Sequence, residues 1–334
     1  MMTYKTIFKG RLDFGNEKSY EKVLKMFQHR VESYYKSDIL LDEEEIFDEG
    51  TKSLIVPRTI TQGSKKSWSN TISVLEYVAQ FAVAGEMGAW MTEDGKILDH
   101  GFVEPNSERV AVQAFIKGRS LVEESGKETE AVEALNKAIE KYERHSEAYE
   151  RRAFVKMQLK DYKGALKDYT KSVAGNPVNS RAYYGRAEVK RILEIEEGRL
   201  EDLENAVKST IPLQPLFWQA RRKKAEYFLE RGDAKGALLD LRLFCHRKFK
   251  EDNPNFGYKK YMLFEYGKAL AATDSPKEAE EAFTKAMDIE SCSRSRVTTL
   301  ECLKERAKVR GAHGFTGAKK DLKTIKEMEK ALAK

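Results

Sequence analysis

The sequence predicts an N-terminal α+β domain over residues 1–108, then an all-α solenoid over residues 109–334: five helix-pair repeats and a degraded C-terminal capping repeat. Three observations predict it. Small and apolar residues recur in one frame through the last two-thirds of the chain. Alternating hydrophobicity marks short stretches of the first hundred residues. Charge divides at the same place: residues 1–108 hold 13 Lys+Arg and 18 Asp+Glu, residues 109–334 hold 47 and 36. An acidic front and a basic back point to two modules with different surfaces.

In the front part, "YKTIFKGRLDF" alternates Thr6, Phe8, Gly10 and Leu12 against Ile7, Lys9, Arg11 and Asp13, a strand pattern. "NEKSYEKVLKMFQHRVESYY" puts Tyr20, Val23, Leu24, Phe27, Val31 and Tyr34 on one helical face. "KSLIVPRTI" reads as a second strand. "SWSNTISVLEYVAQFAVAG" reads as a helix capped by Ser67 and stopped at Gly85. "MGAWMTEDGKILDHGFVEP" reads as a hairpin turning at Asp94-Gly95. The expected order is β-α-β-α-β-β, with one more strand near Glu45 to Phe47.

In the back part, Ala165, Tyr169 and Ser172 share a helix face, Ala153 lies twelve residues earlier, and Pro177 follows. Shifting by 34 residues gives Ala187, Leu203 and Ala206; shifting backwards gives Ala131, Leu135 and Ala138. The frame returns as Ala225, Ala237, Leu241 and Phe244, then as Gly267, Ala279, Phe283 and Ala286. A last copy reads Ala307, Ala318, Leu322 and Ile325. This pattern resembles the tetratricopeptide repeat (TPR), over residues 110 to 334. The resemblance implies pairs of antiparallel helices, A and B, with small residues where axes approach and larger ones between neighbours. Arg199 stands where helix B should carry Ala, so packing is expected to be looser there. Extra residues fall in "STIPLQPLF" and "CHRKFKEDNPNFGYKKY".

Composition excludes several classes. No apolar stretch approaches a membrane span, and the N-terminus has no signal-like core. Three cysteines with no CxxC spacing argue against a disulfide framework or zinc site, and for a cytoplasmic home. No histidine has a partner at metal spacing, and no cofactor is expected. Asp99-His100 near Glu104 is the one fragment of an acid–base site, so an enzyme centred in residues 1–108 is an alternative. A nucleic-acid binder using the basic array is another, weakened by interleaved acidic residues.

The resemblance implies that the A helices line a concave groove. Its face would present Arg119 in the first pair, Phe154 in the second, and Arg181, Tyr184, Glu188 and Arg191 in the third. Arg222 follows in the fourth, then Tyr261, Phe264 and Lys268 in the fifth. Basic charge among aromatics suits a protein or peptide segment with acidic and apolar side chains. The family's chaperone-tail clamp wants Lys and Asn where Phe115 and Arg119 stand, so it is not expected. Arg152, Arg186, Lys224 and Arg306, each just before a small packing residue, are expected to pack their stems and send their heads to acidic groups. The resulting expectation is a non-catalytic interaction scaffold.

Overall fold

The computed structural model describes residues 2–332. It forms two compact units, Met1–Ser209 and Thr210–Lys334. The first begins with a five-stranded antiparallel sheet, order β2-β3-β1-β4-β5. The strands are β1 Tyr4–Asp13, β2 Phe47–Asp48, β3 Ser53–Gly63, β4 Ala84–Glu93 and β5 Lys96–Val103. Between them lie α1 Glu17–Ser33, α2 Glu43–Ile46 and α3 Lys65–Ala79. The alternation holds as read: Tyr4, Phe8 and Leu12 of β1 enter the core beneath the helices with Tyr20, Val23 and Phe27 of α1 and Trp68, Leu75 and Val78 of α3.

Local details differ from the sequence reading. The strand near residue 47 is only Phe47–Asp48, preceded by the helical turn α2. Ser64, not Ser67, caps α3: its hydroxyl accepts from the Ser67 backbone N–H at 3.0 Å. Tyr34 lies just beyond the last turn of α1 and is 68% exposed, because the chain leaves the helix before that face closes. Gly85 does not stop α3, which ends at Ala79; it is the second residue of β4, at φ +113°, where a Cβ would lie 2.1 Å from the Arg11 carbonyl oxygen. Only glycine fits that approach of β4 to β1.

The same unit continues with three helix pairs: α4 Val110–Val122 with α5 Glu128–Lys141, α6 Ser146–Gln158 with α7 Tyr162–Gly175, and α8 Ser180–Ile192 with α9 Arg199–Lys208. The second unit holds α10 Pro215–Glu230 with α11 Ala234–His246, α12 Lys259–Ala272 with α13 Pro276–Met287, and α14 Thr299–Ala312 with α15 Ala318–Leu332. The repeat frame is the packed face. Ala153, Ala165, Ala225, Ala237 and Ala279 have no exposed surface. A Cβ on Gly185 would lie 2.2 Å from the Tyr169 ring, and one on Gly267 2.7 Å from Phe283, so these helices touch backbone to ring. Arg199 does not open its pair: it is 3% exposed, and Leu203 and Ala206 beside it are buried. Leu322, by contrast, is 53% exposed.

Both long insertions are packed. In the first, Ile211 is buried, Pro215 opens α10 and the Trp218 indole donates to the Pro212 carbonyl at 2.8 Å. In the second, Phe249 packs on Phe244 and Trp218, and the Lys259 ammonium donates to the Phe244 and Arg247 carbonyls at the end of α11.

Candidate functional site

The cations that precede the small packing residues are structural. Asp168, one residue before Tyr169, is 2% exposed; it accepts from Arg152 at 2.6 Å and Lys156 at 2.8 Å. Asp202 pairs the same way with Arg186 and Lys190, and Asp321 with Arg306 and Arg310 at 2.8 Å each. Asp240 takes Arg221 and, at 3.4 Å, Lys224. Each buried carboxylate ties two cations of helix A to helix B of its own pair. Pairs α4–α5 and α12–α13 have Ala134 and Ala282 in that place. These eight cations are thus engaged inside their own helix pairs and are less available to a polyanion.

The ten residues expected in the groove fall in two sets. In the first unit, the sheet's second face meets the A helices. Ile7, Arg11 and Asp13 point away from the helix-covered side of β1 yet are 6%, 4% and 1% exposed. Lys9 donates to the Ser180 hydroxyl at 3.0 Å, and α6 contacts β4. Arg181 is held between Glu86 of β4 and Glu150 of α6. Arg119 is bidentate to Glu104, just after β5. Burial, against the partial support of Glu86, lowers the Lys9 ammonium to about 8. Arg119 and Arg181 are therefore engaged by carboxylates of the same chain. Phe154 remains 41% exposed, and Arg191 lies 3.6 Å from Glu188. Tyr184 is half-buried on the same face.

In the second unit, Arg222 is almost fully buried. Its guanidinium lies 3.9 Å from the centre of the Tyr258 ring and bonds Glu226 at 2.8 Å, while its Nε has no partner. Arg294 and Arg296 stand 5.9 and 5.4 Å from the same ring, and Arg296 is 5.3 Å from Tyr261. Glu226 also takes Lys223 at 3.2 Å and Arg296 at 3.3 Å. Burial opposes charge on Glu226, but Arg222 and Lys223 outweigh it and hold its carboxyl below its usual range. Burial, with Glu265 and Glu226 nearby, pushes the Tyr261 hydroxyl up to about 12. Phe264 packs edge-on against Phe283, and Lys268 lies 3.3 Å from Glu265 and over the Phe264 ring.

Sequence reasoning missed Tyr258, Arg294 and Arg296, which come from connecting segments rather than A helices. The segment carrying the two arginines is anchored by Lys260. This fully buried ammonium donates to the Ile289 carbonyl at 3.0 Å, the Ser291 hydroxyl at 2.7 Å and the Thr299 hydroxyl at 2.9 Å. Arg294 bonds the Pro254 carbonyl at 3.0 Å, and Arg296 adopts φ +53°. That left-handed conformation, costly for a residue other than glycine, is held by these anchors.

The acid–base fragment does not assemble. Asp99 accepts from the Trp68 indole at 3.0 Å, His100 follows it on the opposite side of β5, and Glu104 is taken by Arg119.

The helical part is an array of consecutive helix pairs whose packed frame resembles the tetratricopeptide repeat. No protein-family model and no curated protein matches the chain. Among solved structures, it is similar to YrrB, described as a TPR protein with an unusual peptide-binding site: 17% identity, 58% of this chain and 91% of the other, TM-score 0.47. It is also similar to PilF of Pseudomonas aeruginosa (14%, 67% and 91%, TM-score 0.47) and to the type IV pilus biogenesis factor PilW (15%, 66% and 94%, TM-score 0.42).

Proposed function

We propose that the protein is a non-catalytic interaction scaffold that holds a partner protein through a segment bearing acidic and apolar side chains. The observation that carries this reading is the cluster on the second unit: three guanidinium groups around Tyr258, one of them buried with an unpartnered N–H. A carboxylate arriving there would find charge-assisted donors already placed by stacking and by the Lys260 anchor. Tyr261 and Phe264 offer neighbouring apolar surface. Partner contacts beyond this cluster would come from Phe154, Tyr184, Glu188 and Arg191 in the first unit and Lys268 in the second. Among the described residues no helix is long and apolar enough to cross a membrane. A cytoplasmic setting is part of this proposal, on the sequence's three cysteines without CxxC spacing.

The test is fluorescence anisotropy of the full chain with a labelled peptide mixing Glu, Asp and Phe. Replacing Arg222 and Arg296 together by Ala should weaken binding at least tenfold, about 1.4 kcal/mol. Arg181→Ala should leave the affinity of the second unit unchanged. Equal affinity in the double variant, with helix content intact, removes this cluster from the binding surface.

A further inference from the structure

The N-terminal domain is acidic as a whole, yet one cavity in it is lined only by basic, aromatic and apolar groups. It has a volume of about 290 Å³ and lies between α1 and α3. Lys22, Lys25, His29 and Arg30 border it from successive turns of α1, with Tyr34 at the helix end and Tyr77 from α3. No carboxylate lines it, and among the described residues none of Lys22, Lys25 or Arg30 is ion-paired with one.

The geometry of Arg30 is the decisive feature. Its guanidinium lies 3.5 Å from the centre of the Tyr77 ring and 5.4 Å from that of Tyr34. Stacking fixes the plane of the fork and leaves its edge N–H donors without a protein acceptor. A half-buried guanidinium normally finds an oxygen; here the rings hold it and an acceptor is lacking. Lys22, whose ammonium is 5.8 Å from the Phe81 ring, and Lys25 add charge at the rim. The His29 ring is braced by the Ser33 hydroxyl at 3.2 Å. Compact size, an oriented fork and flanking point charges match the three oxygens of one phosphate group far better than an extended polyanion.

We propose that this cavity binds a phosphomonoester, with Arg30 as the bidentate anchor, Lys22 and Lys25 as flanking charges, and the exposed Tyr34 ring as a surface on which a planar substituent stacks. The site is separate from the peptide cluster. Two sources share the chemistry, a nucleoside monophosphate and a sugar phosphate, and the ring of Tyr34 distinguishes them.

Isothermal titration of the full chain at low salt, with AMP, ribose 5-phosphate and inorganic phosphate as probes, tests it. Saturable one-to-one binding of a phosphomonoester is expected, with loss of at least tenfold in affinity for Arg30→Gln. Arg30→Lys, which keeps the charge but not the fork, should recover only part of it. Tighter binding of AMP than of ribose 5-phosphate, abolished by Tyr34→Ala, assigns the nucleotide; equal binding of the two assigns the sugar phosphate. Lys25→Gln leaves the stacked Arg30 untouched and should still weaken binding several-fold, which separates loss of the site from loss of the fold. Absence of saturable binding by the intact chain, or affinities unchanged in both Arg30→Gln and Lys25→Gln, overturns the proposal.

Discussion

The A-helix faces of the two units use similar residues for different ends. In the first unit, Arg119 and Arg181 find carboxylates of the front part of the same chain, Glu104 just after β5 and Glu86 in β4. In the second, Arg222, Arg294 and Arg296 converge on a tyrosine ring, and the buried carboxylate beside them, Glu226, is shared among several cations. Tyr184, Arg222 and Phe264 hold the same place in the repeat frame, three residues before a small packing residue. The frame therefore sets an equivalent position in each pair, and the surroundings decide how its side chain is satisfied. The sheet's acidic side chains also illustrate the chemistry expected of a partner: Glu86 is to Arg181 what a ligand's carboxylate would be to Arg222.

The comparison can be broken most severely at the close helix approaches. Gly185→Val should cost the first unit, and Gly267→Val the second, roughly 3 kcal/mol or more, since each added side chain meets a ring that cannot retreat. Fluorine NMR of fluorotryptophan-labelled protein during denaturation reads both, because Trp68 and Trp90 report on the first unit and Trp218 on the second. Simultaneous loss of all three signals in either variant would mean that the units unfold as one.

Removing the Lys260 anchor comes next. Lys260→Met strands three oxygens and should destabilise the second unit by about 2 kcal/mol. It should also lower acidic-peptide affinity, because Arg296 loses its placement; retained affinity would show that the loop is positioned by other contacts. Glu86→Ala should cost the first unit about 1 to 2 kcal/mol in urea denaturation and leave Arg181 short of a partner. If the two faces are chemically alike, this variant gains a second, weaker site for the same acidic peptide, visible as a stoichiometry above one.

The smallest effect concerns pH. Folding lowers Lys9 from 10.5 to about 8 by burial. Between those values the unfolded chain holds more protons than the folded one, so stability from this group rises with pH across that window. The rise, roughly 1 kcal/mol for a half-buried amine, is measured as the difference between the wild-type and Lys9→Gln urea curves at pH 8 and 10. A difference that is flat with pH would mean that Lys9 stays hydrated.

Much of this was legible beforehand because it depends on size and spacing. Ala153, Ala165 and Tyr169 announce close helix packing wherever they recur, and Phe8 and Leu12 announce a strand face. The cation side of the ion-pair ladder was legible too, in Arg152, Arg186, Lys224 and Arg306; their acceptors Asp168, Asp202, Asp240 and Asp321 each fall three residues after the helix-B small position or its substitute, a recurrence whose meaning shows only once the pairs are seen. What sequence could not show is pairing across distance. Glu86 and Arg181 lie 95 residues apart, and nothing in either segment names the other. Tyr258 and Arg296 lie outside the repeat frame, so reading along that frame passes over them. Gly85 reads as a helix stop because glycine often is one; only the neighbouring strand reveals that the residue exists for Arg11's carbonyl.

The ladder also sets an order of melting. Hydration of charged groups becomes less favourable on warming, so the cost of burying an ion pair falls. Helix pairs closed by a two-cation carboxylate therefore lose less with heat than α4–α5 and α12–α13, which carry the buried Ala134 and Ala282 at that position. Each unit contains one such pair, and each should begin to fray there, leaving its aspartate-tied pairs as the last structure to go.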